Sequence, residues 1–462
     1  MTQAPAEELR REFTGWSTFS LAFAFISPIV ALYGIFGIGL SSIGPGFWWG
    51  FPITLTGQLL VALTLGRLAS RWPFEGGVYQ WSRRLVGERY GWFAGWVYMW
   101  TLVIAMASVA YSGATFLAAV IGLEAPSVPV LILLSLLLLA LTTAGNTIGR
   151  KVVKLTVGLC LFAEVVGSVG IGVYLLVFHH EQPLSVLSSG LSVAPGTALM
   201  SMPIVLAIGF AGWSFLGFES ASTIAEEVRD PQRAVPRAMV FSLVSVALVV
   251  CFTAFSIIMA IPDMAAVTSG AVADPVLATL EAHLPAGVVR AVLLLFVIAF
   301  VASLLGIQAA ASRVVWAYGR DRALPGSATL VKLSGEDRMP RNAILLTGLV
   351  SALLYLPFQN DHVYAILVAF TSAGFYAAFS FPVLGLVVAS LRRRWQPGPF
   401  LNGRLGTVIT YAAIVWLTLE VVNIVWPRYP ELGWAINWAP FLMAVVLGAA
   451  GVVVRSLSLK EA

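Results

Sequence analysis

The most constraining feature of the sequence is a series of long apolar runs separated by short polar connections. Crossing a bilayer takes an α-helix of roughly 20 apolar residues. Twelve runs approach or exceed that length, at residues 17–40, 47–70, 91–121, 127–145, 152–178, 199–224, 237–261, 286–317, 342–357, 362–390, 406–426 and 433–455. Only 11% of the 462 residues are charged, whereas soluble domains carry about 25%. Lipid must therefore surround most of the chain, and the sequence predicts an all-α membrane protein.

The distribution of Lys and Arg predicts an orientation, because cytoplasmic loops of membrane proteins are enriched in both. With a cytoplasmic amino terminus, 25 of the 27 basic residues fall in the tails and the cytoplasmic connections. Only Arg290 and Arg428 fall on the other side. We predict a multi-pass protein of the cell membrane with both termini in the cytoplasm. The net charge of +5 reflects this topology, so no nucleic-acid partner is predicted.

The reactive side chains argue against an enzyme. Cys160 and Cys251 lie inside apolar runs, and the four histidines lie in connections between runs. The sequence contains neither an HExxH nor a CxxC motif, the spacings typical of metal sites. It also lacks the GxxxxGK[ST] motif that would point to ATP as the energy source. We therefore predict no catalytic residue, no metal and no cofactor.

Two of the predicted spans contain helix-breaking residues near mid-depth. Pro28 lies in the first run, and Gly209, Gly212 and Gly217 lie in the sixth. Proline removes a backbone donor, and non-helical backbone at this depth needs protein or a water-filled cavity beside it. A kink with close helix packing would explain either interruption alone. Interruptions five spans apart are instead typical of an inverted-repeat transporter with a midplane site.

Broken helices would give this site two poles. The amino ends of the second halves would face a carboxylate, and the freed carbonyls would face an ammonium group or a cation. A zwitterion such as an amino acid suits both poles. No Lys or Arg falls at mid-span, which disfavours an anionic substrate.

Three acidic residues lie within the predicted spans: Glu164, Glu219 and Glu420. An ionisable residue inside a membrane is a functional candidate by default. We predict that Glu164 and Glu219 couple transport to protons or cations. The alternatives are a neutral Glu164 bonded to a neighbouring helix, and a Glu219 that is a gate element or caps the second half of its helix. Glu420 lies in no motif, which favours a structural role.

Three stretches of the chain carry motifs. They read PFEGGVYQW at 73–81 with GWFAGW at 91–96, WSFLGFES at 213–220 with EEVRDP at 226–231 and AVPR at 234–237, and SR at 312–313 with GRDRALP at 319–325. In these stretches the chain resembles the amino acid–polyamine–organocation superfamily. The resemblance extends to the subgroup of choline and γ-aminobutyrate permeases. It implies a leucine-transporter-like fold, in which an inverted repeat of five helices occurs twice and two helices follow. The implied regions are a tail at 1–16, repeats at 17–178 and 199–390, two accessory helices at 406–455 and a tail at 456–462.

The same resemblance implies that the two breaks hold the substrate. Carried over by position, the substrate-binding residues are Ser27, Pro28, Ile29, Val30, Ala31, Trp213, Ser214 and Leu216, with Trp213 as a gate. Ordinary packing is the alternative for Trp213. The first break departs from the glycine-rich pattern of the family, and Glu164 stands where many sodium-independent members carry lysine.

We therefore predict a secondary active transporter of amino acids or related small amines that works by alternating access. It would be coupled to protons or would exchange substrates, and its partners would be the lipid bilayer, the small-molecule substrate and protons. A membrane channel and a non-transporting substrate sensor are the alternatives. The paired interruptions favour a gated site over a continuous pore.

The predicted topology can be tested with reporter fusions. A reporter fused after Lys460 should be active only in its cytoplasmic form, because the run count and the basic residues both place this end inside. A fusion after Gly270, in the connection that follows the seventh run, should report the outside and serves as the control. An extracytoplasmic reporter after Lys460 would show that the topology is wrong.

Overall fold

The computed structural model describes residues 13–123, 125–272, 274–335, 338–356, 363–428 and 434–461. Over these ranges the chain forms helices and, apart from isolated bridges, no β-strand. We number the apolar helical segments in chain order. They are α1 Gly15–Ile43, α2 Pro45–Arg71, α3 Glu88–Val120, α4 Val128–Ile148, α5 Leu155–Phe178, α6 Pro203–Glu227, α7 Pro231–Ala260, α8 Ala286–Arg320, α9 Arg341–Leu353, α10 Tyr364–Leu391, α11 Gly403–Val425 and α12 Ala439–Leu459.

Eleven of these segments, counted over the described ranges, are long and apolar enough to cross a membrane. This confirms an all-α multi-pass membrane protein. The remaining segment, α9, has 13 residues, which at 1.5 Å per residue reach about 20 Å across a hydrocarbon core about 30 Å thick. Its predicted end at Pro357 lies outside the described residues. Twelve crossings and two inverted repeats therefore stay predictions.

The predicted tails lie mostly outside the described residues or in helix. Residues 1–12 are not described, and the first helix begins at Gly15. The last helix runs through Ala439–Glu461, so most of the segment 456–462 continues α12. An apolar helix that extends past the hydrocarbon core can end among polar headgroups.

The connections meet at two opposite ends of the bundle. At one end, which we call the amino-terminal face, Phe13 bonds to the connection after α6, and Arg83 after α2 pairs with Asp321 after α8 at 2.8 Å. At the other end, Gln182 after α5 donates to the carbonyl of Ile261 after α7 at 2.7 Å. Connections after even-numbered and odd-numbered segments thus gather at different ends, as alternating crossings require.

The first segment, α1, lies at the centre of the bundle and is interrupted. In its most apolar stretch 83% of the residues are buried, against 11% in α12 at the periphery. Its helices are Gly15–Ile26, Pro28–Tyr33 and Phe36–Ile43. Ser27 joins the first two with a φ of +52°, in the left-handed region that non-glycine residues adopt only at a cost. The predicted break at Pro28 is confirmed, and a second one follows Tyr33.

The sixth segment is interrupted between two of the three predicted glycines, Gly212 and Gly217, whereas Gly209 lies inside an α-helix. An α-helix over Pro203–Gly212 is followed by a 3₁₀ turn at Trp213–Phe215, and Gly217 has a φ of +96°. A Cβ atom on Gly217 would lie 2.4 Å from the ring of Phe25, so both the backbone angle and the contact require glycine. The second half continues as a 3₁₀ helix through Phe218–Glu227.

The fifth segment contains a π-helical stretch that the sequence did not predict. An α-helix over Arg150–Glu164 passes into a π-helix at Val165–Gly170 and returns to an α-helix at Ile171–Phe178. Short π segments inside α-helices are frequent at functional sites. Here the change of pitch begins directly after Glu164, which is buried in the bundle.

Close packing of α2 on α11 depends on Gly57. A Cβ atom there would lie 2.0 Å from the indole ring of Trp416. We expect Gly57→Ala to lower the stability of the purified protein by about 1–3 kcal/mol, because an overfilled contact forces the bulky ring to move. Thermal unfolding in detergent measures this change.

The matched control for that experiment is Gly448→Ala on α12, where a Cβ atom would meet nothing within 4 Å. This substitution should leave the melting temperature unchanged or raise it, because alanine favours a helix over glycine. Equal melting temperatures for the two variants would contradict the packing of α2 on α11.

Candidate functional site

A small cavity lies between the interrupted parts of α1 and α6. Its volume is about 30 Å³, which holds little more than one water molecule. Segments α3, α8 and α10 complete its walls. The lining residues are Phe25, Ile26, Val30, Ala31, Ala105, Val109, Trp213, Leu216, Ser303, Ile307, Thr371 and Phe375. The site is contracted, so a substrate requires these helices to move apart.

Half of the predicted substrate-binding residues line this cavity. They are Val30, Ala31, Trp213 and Leu216. The others, Ser27, Pro28, Ile29 and Ser214, are not part of its lining. The hydroxyl of Ser214 donates to the carbonyl of Ala31 at 2.5 Å. This hydrogen bond joins the two interrupted helices directly beside the cavity.

Glu164 caps the second half of α1. Its carboxylate accepts hydrogen bonds from the hydroxyl of Ser27, from the backbone N–H of Ile29 at 3.0 Å and from the hydroxyl of Ser168 at 3.3 Å. The side chain is 2% exposed. An acidic group is favourable at this position because the amino end of a helix carries a partial positive charge.

The remaining donors at this helix end are also engaged. Pro28 has no N–H. The N–H of Val30 donates to the hydroxyl oxygen of Ser27 at 3.3 Å, and the N–H of Ala31 donates to the carbonyl of Ser27 at 2.8 Å. The sequence had predicted that this end would face a substrate carboxylate. In the structure the N–H of Ile29 at this end donates to the protein's own Glu164.

Glu219 lies at the start of the second half of α6, two residues after Gly217. The hydroxyl of Tyr98 on α3 donates to one carboxylate oxygen at 2.8 Å. The other oxygen has no hydrogen-bond partner among the described residues, although the side chain is only 1% exposed. An unpartnered buried oxygen is unusual and is a ready acceptor for a proton.

A larger cavity of about 420 Å³ extends from the central site to the amino-terminal face. Phe13, Trp16 and Arg313 line it near that face. Phe25 lines both cavities and packs against Gly217 and Gly306. The ring of Phe25 is therefore the barrier that separates the central site from this cavity, a role that its place in an apolar run did not reveal.

The three stretches that carry the family resemblance meet at the amino-terminal face. From the stretch at 73–81 and the residues just after it, Tyr79 donates to Asp321 and Arg83 pairs with Asp321, both at 2.8 Å. The backbone N–H of Glu75 donates to Glu226 at 3.2 Å. These contacts join the connections after α2, α6 and α8 into one closed network.

Glu75 is a buried carboxyl group in this network. It is 2% exposed, and burial raises its pKa to about 8. Arg313 lowers the pKa, whereas Glu227 and Glu226 raise it. Arg313 itself pairs with Glu227 at 3.5 Å. Glu75 is therefore largely neutral at pH 7 and acquires charge above about pH 8.

Other residues of the site lacked a signal in the sequence. Ser303, Thr371 and Phe375 line the cavity, and Tyr98 binds Glu219. All four lie in apolar runs, where isolated hydroxyl groups and aromatic rings are common in membrane helices. Only the packing of α3, α8 and α10 around α1 reveals their role.

The fold also gathers His179, Glu181 and His283 at the face opposite the amino-terminal face. One donor atom from each lies within 4.8 Å of the others. The two imidazole rings stack with centroids 4.2 Å apart and 29° between their planes. The Nε2 atoms are already engaged, that of His179 with the hydroxyl of Tyr174 and that of His283 with the carbonyl of Ala260, so this geometry does not by itself indicate a metal site.

The raised pKa of Glu75 predicts a pH dependence of stability. A carboxyl group whose pKa is higher in the folded state stabilises the fold while it is neutral, and this contribution is lost as the pH rises through the folded-state pKa. The melting temperature of the wild type, relative to Glu75→Gln, should therefore fall between about pH 5 and pH 9. Glu281→Gln, at an exposed position, is the control. Parallel pH profiles for wild type and Glu75→Gln would contradict the burial of a neutral Glu75.

Comparisons with known proteins give the family. A family model described as amino acid permease matches residues 15–447. An uncharacterized amino-acid permease of Schizosaccharomyces pombe is 26% identical over 96% of this chain and 84% of its own length. A branched-chain amino acid permease of Lactococcus lactis is 27% identical over 76% of this chain and 75% of its own length. A polyamine transporter of Saccharomyces cerevisiae is 22% identical over 94% of this chain and 74% of its own length. Because the family model matches most of the chain, this chain belongs to the amino acid permease family, within the superfamily that its motifs resemble.

Proposed function

We propose that the protein is a secondary active transporter of amino acids or related small amines and works by alternating access. The observation that carries this proposal is the small cavity between two interrupted helices, which are joined by the hydrogen bond from Ser214 to Ala31. Such a site is typical of transporters whose substrate lies near the bilayer midplane. Two relatives, a branched-chain amino acid permease and a polyamine transporter, support a small nitrogen-containing substrate.

Access to the site would alternate between barriers on its two sides. Phe25 is the barrier toward the amino-terminal face, which the basic residues place in the cytoplasm. On the opposite side, Trp213 and Tyr364 both approach Gly34, at the second break of α1. Trp213 is the gate in this proposal, since it also lines the central cavity. Movement of the first halves of α1 and α6 would displace Phe25 and open the site inward.

Glu164 and Glu219 are the proposed proton-handling groups. Both side chains are buried. Glu219 lies at the start of the second half of α6, and Glu164 accepts a hydrogen bond from the start of the second half of α1. Protonation of Glu164 would weaken the hydrogen bond that it accepts from the N–H of Ile29. The unpartnered carboxylate oxygen of Glu219 could take up a proton without losing a hydrogen bond. Either event changes the charge beside a moving helix, which is how a proton gradient can bias a conformational equilibrium.

A test of transport uses the full chain in proteoliposomes with an imposed pH gradient. Wild type should accumulate a labelled amino acid or amine. Glu164→Gln and Glu219→Gln should each reduce gradient-driven uptake by about tenfold or more, because each removes a charged partner worth about 1.5–3 kcal/mol. Counterflow exchange at equal pH should decline less, since it requires no net proton movement.

Glu420→Gln is the matched control for this experiment. Glu420 is also a buried membrane glutamate at 3% exposure, but it bonds to Asn423 on its own helix, away from the central cavity. Its substitution should leave the pH dependence of uptake intact. Unchanged uptake and pH dependence in the Glu164 and Glu219 variants would refute the coupling. Failure of the wild type to transport any amino acid or amine would refute the transport function.

A further inference from the structure

The second half of α1 has no backbone donor left for a ligand. Its first residue, Pro28, lacks an N–H. The next donors, on Ile29, Val30 and Ala31, are engaged by Glu164 and Ser27. A ligand carboxylate in this place would lose its hydration without gaining these hydrogen bonds, which is unfavourable for a buried charge. It would also lie beside the Glu164 carboxylate.

The ionisable side chains nearest the central cavity are acidic. None of the described residues that line it is Lys, Arg or His. Arg313 lines the larger cavity toward the amino-terminal face, and it is paired there with Glu227. The two carboxylates nearest the interrupted helices are Glu164 and Glu219, both buried. Whatever their protonation, these groups offer no cation to balance a ligand carboxylate.

Acceptors, in contrast, are abundant at the break of α1. In a continuous helix the carbonyl of Ala24 would accept from the N–H of residue 28, but that residue is Pro28, which has no N–H. The carbonyl of Ile26 likewise loses the N–H of Val30, which turns to the hydroxyl of Ser27. Ile26 lines the cavity. Freed carbonyls at the end of a half-helix bind cations and ammonium groups.

Aromatic rings add to this preference. Trp213 and Phe375 line the cavity together with Phe25. The faces of such rings attract an ammonium group, and they do so more strongly in a dry site. The hydroxyl oxygen of Thr371 is a further acceptor in the lining. The cavity therefore combines acceptors and π faces with an apolar wall, which is the complement of an alkyl or aryl ammonium ion.

We propose that the preferred substrate is a cationic amine without a carboxylate group, such as a monoamine or a polyamine. The ammonium group lies at the freed carbonyls of α1 and against Trp213, and Glu164 takes the place that an amino acid's carboxylate would need. This inference rests on the proposed transport function and names its substrate class. It also defines Glu164 as a specificity-determining residue, since its hydrogen bond with Ile29 occupies the backbone donor that a ligand carboxylate would need.

The inference is tested by binding to the purified full-length protein, with matched ligands that differ by one group. The pairs are isoamylamine with leucine, phenethylamine with phenylalanine and putrescine with ornithine, and leucine methyl ester restores the bulk of the carboxylate without its charge. Thermal stabilisation and isothermal titration should give each amine an affinity at least about tenfold higher than that of its amino acid, because the acid brings an unpaired charge into the site. The ester should bind better than leucine.

Glu164→Gln tests the role of the carboxylate. Glutamine keeps the side-chain volume, but it cannot ionise, and its amide oxygen accepts from the N–H of Ile29 more weakly than a carboxylate does. The preference for amine over amino acid should shrink several-fold in Glu164→Gln and stay unchanged in Glu420→Gln. Tighter binding of the amino acids, equal binding within each pair, or no binding of any compound would each overturn the inference. Amino acid uptake by the wild type without amine preference would overturn it while leaving the proposed transport function intact.

Discussion

The hydrogen bonds from Ile29 and Ser27 to Glu164 determine how the centre of this bundle is built. A helix broken inside a membrane exposes backbone groups that water cannot reach, and each needs a partner within the protein. Glu164 supplies that partner for the amino end of the second half of α1. A cap of this kind contributes about 0.5–2 kcal/mol in soluble helices, and in a dry bundle it also decides which pole of the break remains open. The open pole is the carbonyl side.

The break of α1 is tied to that of α6. Ser214 donates to the carbonyl of Ala31, and Gly217 makes room for the ring of Phe25. A displacement of one helix therefore acts on the other and on the ring that separates the two cavities. Packed interfaces change between discrete arrangements instead of deforming continuously, which suits a site that opens to one side at a time. The network around Asp321 holds the connections of the amino-terminal face together in the present arrangement.

The sequence was sufficient for the membrane class and for the location of both breaks. Hydrophobic length identified the segments, Pro28 predicted the break of α1, and the glycines up to Gly217 predicted that of α6. These features are local, so a pattern along the chain can reveal them. The ninth run was too short for hydrophobic length to identify it as a membrane-spanning helix.

The site itself depends on contacts that are distant in sequence. Ser27 and Glu164 are 137 residues apart, and Tyr98 and Glu219 are 121 residues apart. The resemblance implies that Ile29 contacts a substrate, and in the structure its N–H donates to Glu164, 135 residues away. A contact between residues so distant along the chain has no local signature, and hence the sequence alone pointed to a site for zwitterions.

A cryo-EM map of the protein with bound ligand tests the central claim most directly. With phenethylamine or putrescine, density for the ligand should lie between the carbonyl of Ile26 and the ring of Trp213, while Glu164 stays within hydrogen-bond distance of the N–H of Ile29. A map with an amino acid whose carboxylate bonds to Ile29, and with Glu164 displaced, would contradict the claim.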